Sequence, residues 1–556
     1  MTATTPRPVL VAVAWPYANG QSHLGHIAGA YLPADIFARY QRIAGNDVLM
    51  VSGADAHGTP ITVKADQEGV QPADIVNRYH PLFLEQWERL GIQFDLFTTT
   101  MTDNHRDVTW DLFRQLHANG FIDTLVTEQF FDPEADRFLP DRYVEGTCPN
   151  CAYGAARGDQ CDNCGKTLDA IDLIDPRSKL TGATPVPRET EHYYILLSKL
   201  QDQVRAWLET VQGWRPAVIN WALGLLREEG LLDRAITRDL EWGVPIPPEF
   251  DTIGEGKRIY VWFEAVIGYL SAAKEWAQRS GDPDAWQHWW TNPDAESYYF
   301  IGKDNIPFHA LFWPAYLLGC GGLNLPTNVP ANQYVTFKGA KASKSMGVGV
   351  PAIDYLDTYE PDALRYALAA ILPETTDTDL TEEGMVARIN DELVAAWGNL
   401  VNRVLAMAAK NCDSVMPSAA GRDEQDAELL ALVDTTLVEE AELLEAVELR
   451  AALRKAMEAV HGANAYLNAR APWKTAKTDA GRTAATLGTA LDAINGLKVA
   501  LAPFVPFTTE RLHDMLGQGG AIVDGGWQRT PIAPGTSLSG AEPLYAKLDV
   551  PAPDAA

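Results

Sequence analysis

The sequence predicts an α/β protein: a domain built on a parallel sheet, split by an inserted cysteine-bearing module and followed by an all-α helical bundle. Three observations carry that class. Strand-like and helix-like segments alternate through roughly the first hundred residues. Two CxxC pairs crowd into residues 148–164, and strand patterns vanish after about residue 386.

"PVLVAVAW" (8–15) is a short apolar, β-branched run, and "DVLMVSG" (47–53) is another. Between them, residues 26–44 repeat apolar side chains at helical spacing through Ile27, Tyr31, Ala34, Phe37, Tyr40 and Ile43. This is a βαβ unit, so a right-handed crossover and a parallel sheet are expected. Ligands of such sheets sit beyond the carboxyl ends of the strands, where both "PYANGQSHLGH" and "GADAHGTP" fall.

Residues 119–235 break the rhythm with Gly, Asp and Pro clusters, as an inserted module does. The α/β pattern resumes at 258–270, 296–305 and 332–339. Beyond it, "DELVAAWGNLVNRVLAMAAK" and "AELLEAVELRAALRKAMEAVHGANAYLNARAPW" read as long amphipathic helices of a separate bundle. The last ten residues, "KLDVPAPDAA", read as a frayed tail.

The 556 residues, 46% of them hydrophobic, suffice for large cores and about three or four domains. No positively charged segment with an apolar core opens the chain, and no apolar run is long enough to span a bilayer, so the reading is soluble, without membrane, and cytoplasmic. Six cysteines, four of them clustered, suit a reducing compartment better than a disulfide framework. The net charge of −29 argues against a sequence-wide basic coat, yet a local basic strip is still compatible with nucleic acid.

Three groups of residues carry chemistry. His23 and His26 flank Gly25 at a helix start, where unpaired N–H groups and the helix dipole favour an anion; a capping histidine beside a packing one is the plainer alternative. Cys148, Cys151, Cys161 and Cys164 form two CxxC pairs nine residues apart, the pattern of one tetrahedral zinc with no position left for substrate. A redox role would need one CxxC opening a helix, which is absent here. "FKGAKASKSMG" (337–347) sets Lys341, Ser343, Lys344 and Ser345 in a glycine-flanked loop suited to phosphates, without Walker A spacing.

"HLGH" and "KASKS" in one α/β domain resemble the paired signature motifs of class I aminoacyl-tRNA synthetases. "WPYANGQSHLGH", "ADAHGTPI", "FLPDRYVEGTCPNC", "TGATPVPRETEHYY", "YVWFEAVIGYL", "FIGKDNIPFHALFWPA" and "NARAPWKTAK" narrow the resemblance to the methionyl-tRNA synthetase family, in the form with one four-cysteine knuckle. The resemblance runs collinearly over nearly the whole chain. It implies a Rossmann-like catalytic domain in two parts, 1–118 and 236–340, a connective-peptide insert at 119–235, a loop and stem-contact region at 341–385, and an anticodon-binding bundle at 386–556.

It also implies the reaction: L-methionine and ATP give methionyl-adenylate, and the methionyl group then passes to the 3′ end of tRNA(Met). His23, His26, Lys341 and Lys344 are implied as catalytic, with Gly25, Ser343 and Ser345 joining them around ATP and Mg²⁺ entering with the nucleotide. Asp55 is implied to pair with the amino acid's ammonium group, a helix or turn cap being the alternative for that carboxylate. Trp15, Tyr17, Trp262, Ala265, Tyr269, Phe308 and His309 would line the methionine pocket, and Asp304 and Arg238 would shape it. Aromatic walls suit a polarisable thioether.

Trp473 would stack on an anticodon base, with Asn402, Arg403 and Lys410 as a second wall. Zinc would be single and structural, and the chain a monomer.

Departures from the family pattern are Ala342 inside the lysine loop, Trp15 where leucine is common, Val266 where proline is common, and Ala406 with Lys410 where asparagine and arginine read bases. Trp15 and Val266 motivate one rival function, a paralogue selective for a methionine analogue; the other is a catalytically silent tRNA-binding protein, against which His23, His26, Lys341 and Lys344 stand.

Overall fold

The computed structural model describes residues 6–158, 160–164, 166, 168–254, 256–337, 340–341 and 351–549. Its centre is a five-stranded, all-parallel sheet of β1 (Pro8–Val13), β2 (Asp47–Ala54), β3 (Leu96–Thr99), β4 (Glu296–Gly302) and β5 (Ala331–Asn332), in the order 3-2-1-4-5. β1 is buried on both faces, which is why it reads as an unbroken apolar run. Val9, Val11 and Val13 enter one core; Leu10 and Ala12 enter the other. The strand order reverses between β1 and β4, and the crevice at that switch is where such sheets hold ligands.

The helix after β1 spans residues 24–43, with a wider turn over Ile27–Tyr31. Sequence chemistry explains that turn. Pro33 has no N–H for the carbonyl of Gly29, and the buried side-chain amide of Asn332 on β5 donates to it instead, at 2.8 Å. Arg215 in turn holds Asn332 Oδ1 at 2.7 Å. A proline in the helix is thus answered by the edge of the sheet.

The insert is built on two long antiparallel strands, Ile122–Asp132 and Val186–Ile195, paired from Ile122↔Ile195 to Phe131↔Val186. The cysteine knuckle lies in the chain between them. The segment 258–270 continues the α/β pattern differently from expectation: Lys257–Ile259 pairs antiparallel with Thr237–Asp239, and a helix, Val261–Ser280, follows. Likewise only Ala331–Asn332 joins the main sheet. Val335–Phe337 pairs instead with Thr378–Leu380 and Ala340–Lys341 in a small separate sheet.

The bundle comprises residues 382–411 and the helices Glu424–Glu445, Leu449–Arg470, Ala480–Leu501 and Pro506–Met515. The run 441–473, expected as one helix, is broken at Val447. That residue is buried with φ +57, and Glu448 N–H closes on Leu443 O at 2.8 Å. Periodicity missed it because valine is apolar and keeps the pattern while its backbone reverses the chain. The expected frayed tail starts pinned: Leu548 exchanges both backbone hydrogen bonds with the side chain of Asn390, at 2.9 and 2.8 Å. Residues 550–556 lie outside the described residues.

Bundle and sheet domain share one continuous core. Arg365, fully buried, pins the junction: it pairs with Asp35 of the helix after β1 at 2.7 Å and donates to the carbonyls of Leu90, Pro503 and Phe504. Such a charge is tolerable only because every face of the guanidinium is met.

Candidate active site

His23 caps the helix after β1 in an extended conformation (φ −106, ψ 169), so its ring and that of His26 come together at the helix start. The rings stack at 3.8 Å, and His26 Nδ1 accepts from the backbone N–H of His23 at 3.3 Å. Gly25 fits this stack closely: a Cβ there would lie 2.9 Å from the His23 ring. A helix start favours an anion through its first-turn N–H groups and its dipole, and the two imidazoles stand at that start.

The residues that flank the lysine loop meet this helix start. His23 forms a backbone bridge with Pro351, Ala352 N–H donates to Ser22 O at 2.8 Å, and the Phe337 ring meets His23 edge-on at 6.3 Å. Lys341 is described only as backbone, paired with Thr336; Ala342, Ser343, Lys344 and Ser345 lie outside the described residues. Both ends of the loop that carries them therefore meet the histidine helix.

At the end of β2, Asp55 bridges Tyr17: Asp55 N–H donates to Pro16 O at 2.9 Å and Ala18 N–H to Asp55 O at 3.1 Å. The carboxyl is 3% exposed and accepts from His57 N–H at 3.3 Å. Burial, with the Glu264 charge adding to it, raises Asp55 to about 8. Without a cation beside it, such a carboxyl is largely protonated at neutral pH.

The helix Val261–Ser280 presents Trp262, Ala265 and Tyr269 at helical spacing. Trp262 meets Phe308 edge-on at 5.2 Å, and Tyr269 donates to His309 Nε2 at 2.7 Å. Trp262, Phe308, Asp304 and Arg238 border a cleft of about 960 Å³ that runs toward the insert. Asp304 accepts from the Tyr334 hydroxyl, and Arg238 lies over the Tyr260 ring at 4.3 Å.

Trp15 is partly buried against the second core. Its indole is wedged between Gly53 and Gly268, where added Cβ atoms would fall 2.4 and 2.8 Å from it, and tilts against His105 at 6.2 Å. Val266 is buried in the core.

Residues that spacing alone does not single out stand behind this site. Glu264 accepts from His57 Nδ1 and His105 Nε2, each at 2.8 Å. The one legible signal was a carboxylate inside an otherwise apolar helix, "VWFEAVIGY".

In the insert the four cysteine sulfurs lie within 4.8 Å of one another, with Cys148–Cys164 at 4.0 Å and Cys151–Cys161 at 3.6 Å. A tetrahedron with Zn–S bonds of about 2.3 Å has edges of about 3.8 Å, so the donor set fits zinc in number, softness and size. In the bundle, Trp473 is 42% exposed, and the Arg403 guanidinium lies over its ring at 5.3 Å. Lys410 is exposed two turns along the same helix as Arg403.

Residues 9–405 match the family model described as tRNA synthetases class I (M). The chain belongs to that synthetase family. Residues 416–550 of this synthetase also match the model for the anticodon binding domain of methionyl tRNA ligase. Among curated relatives, the methionine–tRNA ligase of Roseiflexus sp. (strain RS-1) is 50% identical, covering 98% of this chain and 97% of the relative. That of Thermomicrobium roseum is 48% identical over the same shares. The crystal structure of Mycobacterium tuberculosis methionyl-tRNA synthetase bound by methionyl-adenylate superposes with a TM-score of 0.80 at 26% identity, covering 98% of this chain and all of that one.

Proposed function

We infer that this synthetase is a methionine–tRNA ligase. The observation that carries the reading is one sheet edge holding three things together: a stacked imidazole pair at a helix start, a buried carboxyl, and the aromatic pairs Tyr269–His309 and Trp262–Phe308. The carboxylate of methionine attacks the α-phosphorus of ATP; the bond to the bridging oxygen breaks and pyrophosphate leaves. A ribose hydroxyl at the 3′ end of tRNA(Met) then attacks the methionyl carbonyl, and AMP leaves.

No protein nucleophile is required, so catalysis is positioning plus charge stabilisation. We assign His23 and His26, with Lys341 and Lys344 from the facing loop, to the charge on the phosphates. Gly25 keeps the nucleotide's approach open, and Ser343 and Ser345 complete its cradle. Mg²⁺ bound to the nucleotide would supply countercharge for the pyrophosphate. Asp55 takes the methionine ammonium, while Tyr17, Trp262, Ala265, Tyr269, Phe308 and His309 take its side chain. Trp15 joins them at the methionine pocket, and Asp304 borders it at the cleft.

The knuckle is assigned one structural zinc, which folds the insert and takes no part in the reaction. Trp473 and Arg403, with Lys410, form the proposed anticodon surface. We assign the synthetase a monomeric state and a place in the cytoplasm, whose reducing conditions suit four closely spaced thiols. The test is ATP–pyrophosphate exchange and aminoacylation with defined tRNAs against methionine, norleucine, homocysteine and smaller aliphatic amino acids. The reading requires methionine to be the best substrate and tRNA(Met) the best acceptor.

A further inference from the structure

Four side chains behind the site are almost wholly out of water: His57, His105, Glu264 and Ser271 are 8%, 1%, 0% and 1% exposed. They form one chain of hydrogen bonds. A carboxylate only accepts, so His57 Nδ1 and His105 Nε2 both donate to Glu264. The second nitrogen of His105 lies 2.8 Å from Ser271 Oγ, which itself donates to Gly268 O at 3.0 Å. Trp15 covers His105 from the side of β2.

The chain ends at Asp55. Backbone contacts fix the neighbouring peptide: Ala56 N–H donates to Thr100 Oγ1 at 3.0 Å and Ala56 O accepts from Trp242 Nε1 at 2.7 Å. The bond aimed at the Asp55 carboxyl comes from His57 N–H. His57 is therefore placed twice, by its backbone against Asp55 and by its ring against Glu264. Glu264 also belongs to the helix that carries Trp262, Ala265 and Tyr269, one face of the side-chain pocket.

We propose that Glu264 is a positioning residue for recognition of the substrate's α-ammonium. Acting through His57, it fixes the Asp55 carboxyl relative to the aromatic pocket, so that one amino acid satisfies both at once. The proposal rests on the methionine-ligase reading above. The electrostatics agree with it: the paired imidazoles hold Glu264 down at about 2 despite complete burial, so its charge persists across the working range.

The test is a preference, measured by tryptophan-fluorescence titration of the full-length protein. The two probes are methionine and desamino-methionine, in which hydrogen replaces the amino group. In Glu264→Gln, methionine binding weakens on the order of tenfold while desamino-methionine binds as it does to the wild type, because the variant releases the hold of His57 on the Asp55 carboxyl that meets the ammonium and changes no group that meets the rest of the substrate. A merely structural role weakens both probes equally, and an unchanged preference overturns the proposal. Should Glu264→Gln be insoluble, His105→Gln, which removes one of the two imidazoles pinning Glu264, is scored by the same ratio. A wild-type protein that binds neither probe overturns the underlying reading and the proposal with it; a wild type that prefers methionine, with the preference intact in the variants, overturns the proposal alone.

Discussion

Tyr269 and His309 share a hydrogen bond whose direction fixes a protonation state. The carbonyl of Asn305 can only accept, so the proton on His309 sits at Nδ1, 2.9 Å away, and Nε2 is left to accept from the Tyr269 hydroxyl at 2.7 Å. Burial reinforces this by pushing His309 down to about 4. The Tyr269–His309 pair is thus uncharged at neutral pH.

Removing the hydroxyl leaves a buried acceptor unmet, which costs about 1–3 kcal/mol. Tyr269→Phe is expected to lower kcat/KM for methionine roughly tenfold to a hundredfold in pyrophosphate exchange, with KM for ATP unchanged. An equal rise in both KM values would place the pair outside the amino-acid pocket.

Asp55 yields a prediction in which stability and function part company. Its folded-state pKa, about 8, stands above the ordinary carboxylate range. Between that range and about 8 the folded protein holds a proton the unfolded chain has released, so stability falls as pH rises through this window. Asp55→Asn removes the penalty. The variant should melt higher than wild type at neutral pH and yet lose methionine-dependent pyrophosphate exchange, while in the wild type KM for methionine falls as pH rises toward about 8. A variant that melts lower throughout would contradict this account.

The knuckle should hold about one zinc per chain by elemental analysis, because four sulfurs fill a tetrahedral shell. Cys161 is buried among residues of the knuckle's own small core, so Cys161→Ser is expected to lose the metal and open the insert to protease between residues 119 and 235. Cleavage elsewhere, with the insert intact, would show that the metal does not fold it.

Much of this architecture was legible in the residues. β1, β2 and the helix between them announce themselves because fully buried parallel strands must be apolar, and the CxxC spacing leaves few other readings. What escaped was of two kinds. Val447 breaks a helix with its backbone while its side chain obeys the pattern, and Leu548 is held by Asn390 through bonds that no local signal encodes. The chain from His57 through Glu264 to His105 escaped because its members come from three separate segments and meet only once the sheet is assembled. The lysine loop could be paired with the histidines because both carry unusual chemistry, and Pro351 and Ala352 just beyond it bond to His23 and Ser22.

The bundle offers the last prediction. Trp473 follows Ala471, whose φ of +43 turns the chain sharply at the end of the helix Leu449–Arg470 and leaves the indole exposed. Arg403 covers one part of that ring, so a base stacking on the indole also meets a cation. Loss of one stacked base costs about 1–3 kcal/mol, so Trp473→Ala is expected to reduce kcat/KM for tRNA(Met) roughly tenfold to a hundredfold and leave pyrophosphate exchange untouched. Arg403→Ala, which removes only the cation over the ring, should lose less. Lys410→Ala should chiefly flatten the salt dependence of tRNA binding, as removal of a single phosphate contact does. If Trp473→Ala impaired pyrophosphate exchange as much as aminoacylation, the residue would belong to the fold of the bundle and not to the surface that reads tRNA.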